Sequence, residues 1–370
     1  MVKIAWLPGD GVGKDVMDAA KIVLDALKLD AEYVHGDIGW EFWVNEGDPL
    51  PERTLKVLRE TDVCLFGAIT SKPTQEAAKE LSPELQGKGL KYFSPIVRLR
   101  QEFNLHTNLR PCKAYPGNPL NYRDGIDITV FRENTEGLYS GIEFHPVPEE
   151  FMRACLKHSK KAARFKDSPL DEMAVSLRLL TVKGCRSIVT QAFKYAQKHG
   201  KKKVTLVEKP NVLRETSGLI TRVARKVAQE FPGIELDEAN IDAMCMWLVK
   251  NPERYEVLVT TNMFGDIVSD LCAQLVGGLG FACSGNIGDG YAVFEPTHGS
   301  APKYAGKYKV NPTAMLLTAK MMLEHLGEGD MAARLEKSIA KVIRDAKVRT
   351  YDVGGSSTSL EVAEEVARNL

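Results

Sequence analysis

Hydrophobic and polar positions along this chain switch repeatedly between two periods. Val2–Leu7 is a short apolar run of the kind that forms a buried strand. Directly after it, Val12, Val16, Ala19, Ala20, Val23 and Leu27 recur at the spacing of one helix face. Thr54–Arg59 reads as helix and Val63–Gly67 as strand. Further strands are predicted at Ile126–Phe131, Val204–Val207 and Val257–Thr260, each followed by a polar turn and a helix-like stretch. Such alternation predicts an α/β fold with a largely parallel sheet, because parallel neighbours need a crossover and helices supply it. No internal repeat or long low-complexity linker interrupts the pattern.

At 370 residues the chain exceeds one typical domain and suggests two or three. With 44% hydrophobic and 26% charged residues it has a globular composition, which excludes global disorder. Its 49 basic and 49 acidic residues cancel, so no global field attracts a nucleic acid or an anionic membrane, and neither is an expected partner. One basic stretch, Arg153 to Lys166, is followed by Asp167, Asp171 and Glu172 and reads as a solvated helix face or a subunit contact. Residues Met1–Asp10 break into Pro, Gly and Asp too early for a signal peptide, and no apolar run matches a bilayer. The seven cysteines are scattered without a C-x-x-C pair, which fits buried thiols in a reducing compartment. A cytoplasmic location is the expectation.

Gly9-Asp10-Gly11-Val12-Gly13 joins a strand to a helix, the setting of a dinucleotide fingerprint. The third glycine of that motif is replaced by Lys14, so the loop reads as a tight strand-to-helix turn. Any cofactor site has to lie elsewhere.

Four segments carry chemistry: Ser94-Pro95-Ile96-Val97-Arg98-Leu99-Arg100 with Leu109-Arg110-Pro111; Phe131-Arg132-Glu133-Asn134-Thr135-Glu136-Gly137-Leu138-Tyr139; Asn262 to Asp270; and Glu295-Pro296-Thr297-His298-Gly299-Ser300-Ala301-Pro302-Lys303-Tyr304. Asp266 and Asp270 stand four apart at the start of a helix, so both carboxylates share one face. Their repulsion costs an isolated helix roughly 0.2–0.5 kcal/mol, which the helix dipole offsets better for Asp266 than for Asp270. A hard divalent cation would turn that repulsion into a binding site; two solvated acids are the simpler alternative. Arg100, Arg110 and Arg132 could converge on one cleft, and three guanidinium groups suit a di- or tricarboxylate.

Together these segments, with the opening Leu-Pro-Gly-Asp-Gly-Val-Gly, resemble the β-decarboxylating dehydrogenases, most of all the isocitrate dehydrogenases. The resemblance runs over nearly the whole chain in the right order. It implies loss of hydride from C2 of a 2-hydroxy acid, then loss of the β-carboxylate as carbon dioxide. It assigns Asp266 and Asp270 to a Mg2+ or Mn2+ ion, with Asp242 arriving from a second subunit. Lys209 matches the lysine that assists deprotonation of the hydroxyl from that subunit, and Tyr139 matches the proton donor. Arg100, Arg110 and Arg132 match the groups that hold the α- and β-carboxylates, and Ser94 matches a contact to the γ-carboxylate. Isocitrate enzymes generally carry asparagine where this chain has Ile96. A lost hydrogen bond to a charged group costs about 1.5–3 kcal/mol, so homoisocitrate is the second substrate and 3-isopropylmalate the third. A non-catalytic regulatory subunit is the reading from another class, and it would be expected to lack the catalytic groups present here.

The resemblance also places the nucleotide on the His-Gly-Ser-Ala-Pro loop, with His298 and Asn311 as contacts. Lys303 and Tyr304 stand where NAD-type members usually carry Asp and Ile after the proline, with Val310 further on and Tyr351 near the end. A cation and two phenols suit a 2′-phosphate, so NADP is expected, with NAD as the alternative because Gly355 replaces an arginine of the NADP type. The implied fold is an isopropylmalate-dehydrogenase-like, two-domain one. Its large, cofactor-binding domain would comprise 1–101 and 278–370, and its small domain 102–277. A dimer-forming clasp near 137–181 implies a homodimer with shared sites.

Overall fold

The computed structural model describes residues 1–370. Its strands are β1 (Val2–Gly9), β2 (Ala31–His35), β3 (Val63–Ala68), β4 (Thr107–Lys113), β5 (Asp127–Glu133), β6 (Glu143–Phe144), β7 (Val175–Ser176), β8 (Lys203–Glu208), β9 (Glu235–Asn240), β10 (Val257–Thr260), β11 (Cys283–Ile287) and β12 (Ala292–Pro296). Ten of them form one continuous sheet in the order β2-β1-β3-β12-β11-β4-β5-β10-β8-β9. Both wings are parallel, as the strand–helix alternation predicts. The centre is not: β12-β11, β11-β4 and β4-β5 are antiparallel, and there the chain crosses from one wing to the other.

Helix Val12–Leu27 buries the whole stripe predicted for it, from Val12 to Leu27. With helices Thr313–His325 and Gly329–Asp345 it covers one wing in a core that includes Ile4, Val63, Phe294 and Met322. The other wing has its own cores. Helices Val182–Lys198 and Thr216–Ala228 pack on one face of β5, β8 and β10, and helices Ile241–Lys250 and Asn262–Gln274 pack on the other. Five of the seven cysteines are buried and none is paired.

The strand predicted at Ile126–Phe131 begins one residue later and ends two later, at Asp127–Glu133, because its ladder with β4 runs on to the pair Thr107–Glu133. β4 itself escapes the hydrophobic pattern. It reads Thr-Asn-Leu-Arg-Pro-Cys-Lys, and its Pro111 signals an edge. Pro111 lies just past the last residue paired with β11, so β4 behaves as an edge strand on that side despite its central place. Residues between Gly141 and Thr181 form an arm: the two-stranded β6-β7 sheet, helix Glu149–His158 with no buried residue, and the 3-10 turn Lys160–Phe165. The basic stretch from Arg153 thus lies on this solvated arm.

Candidate active site

Strand alternation builds the arginine cluster. On β4, Asn108 and Arg110 point to one face of the sheet, and on β5 Arg132 points the same way. Arg110 donates through Nε to Asn108 Oδ1 at 2.8 Å and through Nη1 to Ser269 Oγ at 2.7 Å and Asp270 Oδ1 at 3.1 Å. Arg132 is fully buried. It donates to Asp266, and through Nε and Nη2 to Asn262 Oδ1 at 3.0 and 2.8 Å. Arg100, near the end of helix Pro95–Glu102, donates to Asn286 Oδ1 at 3.0 Å and to Glu295 at 3.4 Å. The three guanidinium groups therefore do meet, each aimed by a polar partner.

Tyr139 follows the tight Gly137 turn and donates its hydroxyl to Asp266 Oδ2 at 2.7 Å, with the Arg132 guanidinium 5.0 Å from its ring centre. Burial, then that hydrogen bond, holds the phenol above its ordinary pKa, so it is protonated at neutral pH. Burial pushes the Asp266 carboxyl up, but Arg132, Tyr139, Arg110 and Arg100 overcome this and leave it below the usual carboxylate range. Asp270 ends above that range, raised by burial and by Asp266 against the pull of Arg110. Burial, followed by Arg110 and Arg100, draws Arg132 down to about 10, still a cation at neutral pH. One expectation needs correction. Helix Asn262–Gln274 has no acid in its first turn, so the arginines, rather than the helix dipole, compensate Asp266.

Lys209 and Asp242 form a separate pair. Lys209 Nζ lies 2.6 Å from Asp242 Oδ1, the Asp242 side chain is 67% exposed, and neither bonds to the arginine cluster. No single chain gathers three potential metal-ligating side chains. Next to Lys209, the buried Glu208 is held by Arg178 at 2.9 Å and Ser217 at 2.5 Å, which pins the end of β8. Ser94 caps the helix that carries Arg100 without a side-chain cap bond, and Ile96 packs against the apolar cluster around Leu99 and Phe66.

A second cleft, of about 440 Å³, is lined by His298, Val310, Asn311, Tyr351, Asp352 and Val12, among others. His298 donates through Nδ1–H to Gly299 O, 3.1 Å away, while its Nε2 is buried without a partner. Asn311 donates to Asp352 at 3.1 Å. The Tyr304 and Tyr351 rings lie tilted against each other with centres 5.7 Å apart, and Lys303 Nζ lies 5.0 Å from the Tyr304 ring. Lys303 and Tyr304 are not among the residues that line the cleft; Tyr304 adjoins it through Tyr351, which does.

The glycine turn braces these loops. Val12 N donates to Ser300 O at 2.9 Å, so this helix N-terminus is already occupied by backbone. A side chain on Gly13 would place Cβ 2.3 Å from Pro8 O and 2.6 Å from Ala68 N. Asp10 accepts from Trp40 N at 2.7 Å and Thr70 N at 2.8 Å. The tight-turn reading of this loop holds. At Gly355 a Cβ would lie 2.1 Å from Arg349 O, so the missing arginine has a steric cause.

Asn262, Asn108, Asn286, Ser269 and Glu295, which aim the arginines, were not singled out by sequence. Asn262 and Glu295 lie inside quoted motifs, whereas Asn108 and Asn286 carry no local signal.

Three buried arginines gathered around paired carboxylates, on a mixed sheet covered by helices, mark the chain as an α/β protein with a site suited to acidic groups. The profile of the isocitrate/isopropylmalate dehydrogenase family matches residues 3–367, and the chain belongs to that family of decarboxylating dehydrogenases. It is 42% identical over 370 residues to 3-isopropylmalate dehydrogenase of Archaeoglobus fulgidus, with 100% of both chains covered. It is 41% identical over 367 residues to the protein DlpA of Legionella pneumophila, covering 99% of this chain but only 58% of that longer relative. The solved isocitrate dehydrogenase of Methylococcus capsulatus superposes with a TM-score of 0.85 at 38% identity, covering 100% of this chain and 99% of that one. No helix is long and apolar enough to cross a membrane.

Proposed function

We propose that the protein catalyses the divalent-metal-dependent oxidative decarboxylation of isocitrate to 2-oxoglutarate with reduction of NADP. The observation that carries the reaction class is the convergence of Arg100, Arg110, Arg132 and Tyr139 around Asp266. Two carboxylates and a carbonyl-forming carbon need cations to bind and a protonated acid nearby, and the cluster supplies both.

The donor set fits a hard cation. Asp266 and Asp270 lie one turn apart, and burial, with a smaller push from Asp266, keeps Asp270 above the usual carboxylate range, a cost that a bound divalent ion would remove. When bound, Mg2+ or Mn2+ supplies Lewis-acid polarisation of the substrate oxygens. Arg110 and Arg132, now paired with these acids, would turn to the substrate carboxylates. Tyr139, held protonated, would deliver a proton to the carbon that loses carbon dioxide. Asp242 and Lys209 lie apart from this cluster, and we assign them to the neighbouring chain's site in a homodimer. The exposed apolar side chains Met246, Trp247, Met263 and Ile267, and the arm near 137–181, are the surfaces we assign to that contact.

The nucleotide cleft also passes a test of fit, since the orphaned Nε2 of His298 offers a hydrogen bond. A bound nicotinamide dinucleotide supplies the acceptor for the hydride. Lys303, Tyr304 and Tyr351 favour the 2′-phosphate of NADP over NAD. In this assignment 1–101 with 278–370 is the cofactor-bearing domain and 102–277 the small one.

A second reading, oxidation of 3-isopropylmalate, moves ahead of homoisocitrate on the 42% identity to the Archaeoglobus fulgidus enzyme of that name, and the apolar Ile96 offers a γ-carboxylate no hydrogen bond. Homoisocitrate, second by sequence, becomes the third substrate to test. Initial rates of NADP and NAD reduction with each acid, with Mg2+ and then with excess EDTA, decide among them. Fastest turnover with isocitrate and NADP, lost in EDTA, is the expected result. Preference for isopropylmalate would overturn the substrate assignment but keep the chemistry, and no turnover with any acid would overturn both.

A further inference from the structure

The strands that aim the arginines have a second face. Asn108 and Arg110 alternate on β4 with Thr107, Leu109, Pro111 and Lys113, and Ser284 and Asn286 alternate on β11 with Cys283 and Ile287. The second set lines a groove behind the sheet, together with Phe131 and Phe294. Its two parts, about 530 Å³ and 300 Å³, share Leu109, Tyr195, His199, Met321, Glu324 and Glu336 and so are continuous. Helix Val182–Lys198 forms one wall, and helices Thr313–His325 and Gly329–Asp345 form the other. The volume is that of a small-molecule site.

The lining is aromatic and its free charge is positive. His199 stacks on Tyr195 with ring centres 4.1 Å apart, and Phe294 lies 5.4 Å from His325. Every acid in the groove is already matched: Glu336 by Lys113 at 2.6 Å and Lys320 at 3.3 Å, Glu324 by Lys320 at 2.9 Å, and Asp127 by Lys201 at 2.6 Å. Lys194 and Lys198, one turn apart on the groove wall, make no ion pair. The groove is also separate from the exposed apolar surface around Met246, Trp247 and Ile267.

We infer that this rear groove is a second ligand site, which takes a small planar anion: its ring lies against Tyr195, His199, Phe294 and Met321, and its charge is met by Lys194 and Lys198. The ligand would sit one sheet thickness from the substrate arginines without competing for them. This inference does not depend on which substrate or nucleotide the front clefts use.

Titration of the purified, full-length protein with the planar aromatic sulfonate 8-anilinonaphthalene-1-sulfonate tests it by fluorescence. NADP, NAD and isocitrate are all present at saturation, with EDTA in place of Mg2+, to occupy the front clefts without turnover. One saturable site per chain is expected, with Kd raised about tenfold or more in the Lys194→Glu/Lys198→Glu double variant. Lys183→Glu, the same substitution at the far, N-terminal end of that helix, should leave Kd unchanged, whereas Lys194→Glu alone should not. Retained binding in the double variant overturns the proposal. So does equal weakening by Lys183→Glu, which would mean non-specific attraction, or loss of the site when the nucleotides are added.

Discussion

Removing the buried amide of Asn286 should disable the arginine cluster from behind. Asn286 is fully buried, and its Oδ1 accepts from Arg100 Nε at 3.0 Å, Asn108 Nδ2 at 2.9 Å and Asn134 Nδ2 at 3.0 Å. Its Nδ2 donates to Glu295 at 2.8 Å. Because Asn108 in turn holds Arg110 at 2.8 Å, one amide orients two substrate-facing guanidinium groups. Asn286→Ala strands those donors and the Glu295 oxygen in a dry interior. An unsatisfied buried polar group costs roughly 1–3 kcal/mol, and water entering the new hole recovers part of the total. A net loss of about 3–5 kcal/mol follows, at the upper end for single substitutions. The unfolding entropy of a chain of 370 residues is roughly 0.8 kcal/mol/K. The midpoint of thermal unfolding should therefore fall by about 4–6 °C. At a temperature where the variant is folded, kcat/KM for the acid substrate should fall at least about tenfold, since Arg100 and Arg110 lose their aim. The KM for the nucleotide should stay unchanged. Differential scanning fluorimetry and initial-rate kinetics measure the two effects. A midpoint within about 1 °C of the parent, with unchanged kcat/KM, would refute the hub role; a large thermal shift with intact kcat/KM would confine Asn286 to stability.

Other perturbations read other parts of the molecule. Lys303→Asp with Tyr304→Ile should shift the NADP/NAD ratio of kcat/KM toward NAD, and an unchanged ratio would refute the NADP assignment. Tyr139→Phe removes the proton donor but keeps the ring over Arg132; kcat should fall by about 10²–10⁴ while the substrate KM changes only a few-fold. Glu336 is raised by burial, but Lys113 and Lys320 more than offset this and hold its pKa below the ordinary value. Its contribution to stability is therefore present above the unfolded-state pKa of about 4.3 and lost as pH falls through the lower folded value. The thermal midpoints of the parent and Glu336→Gln should differ most near neutral pH and converge in acid; a gap that widens in acid would contradict the sign.

Much of this protein was legible in its sequence, because local periodicity and residue chemistry act over short distances. The stripe from Val12 to Leu27, the strands Val63–Ala68 and Val257–Thr260 and the parallel wings follow from apolar spacing, which burial rewards directly. The gathering of Arg100, Arg110, Arg132, Tyr139 and Asp266 was expected from their types and from motifs in a recognisable order. The tertiary structure alone decided the antiparallel seam. β4 is polar because its two faces serve two clefts, so its pattern does not record a buried strand. It also decided the roles of Asn108 and Asn286, since an asparagine becomes a hub only when partners 178 residues apart in sequence close around it. By sequence Asp266 is an acid at the start of a helix, yet arginines from β4, β5 and helix Pro95–Glu102 hold its pKa below the usual range against burial. At Gly355 sequence showed only a missing arginine, while the carbonyl of Arg349, 2.1 Å from where a Cβ would stand, shows why none fits. Periodicity is a local property and is written in the chain; register, steric closure and electrostatic environment depend on distant residues meeting, and only the folded structure states which ones meet.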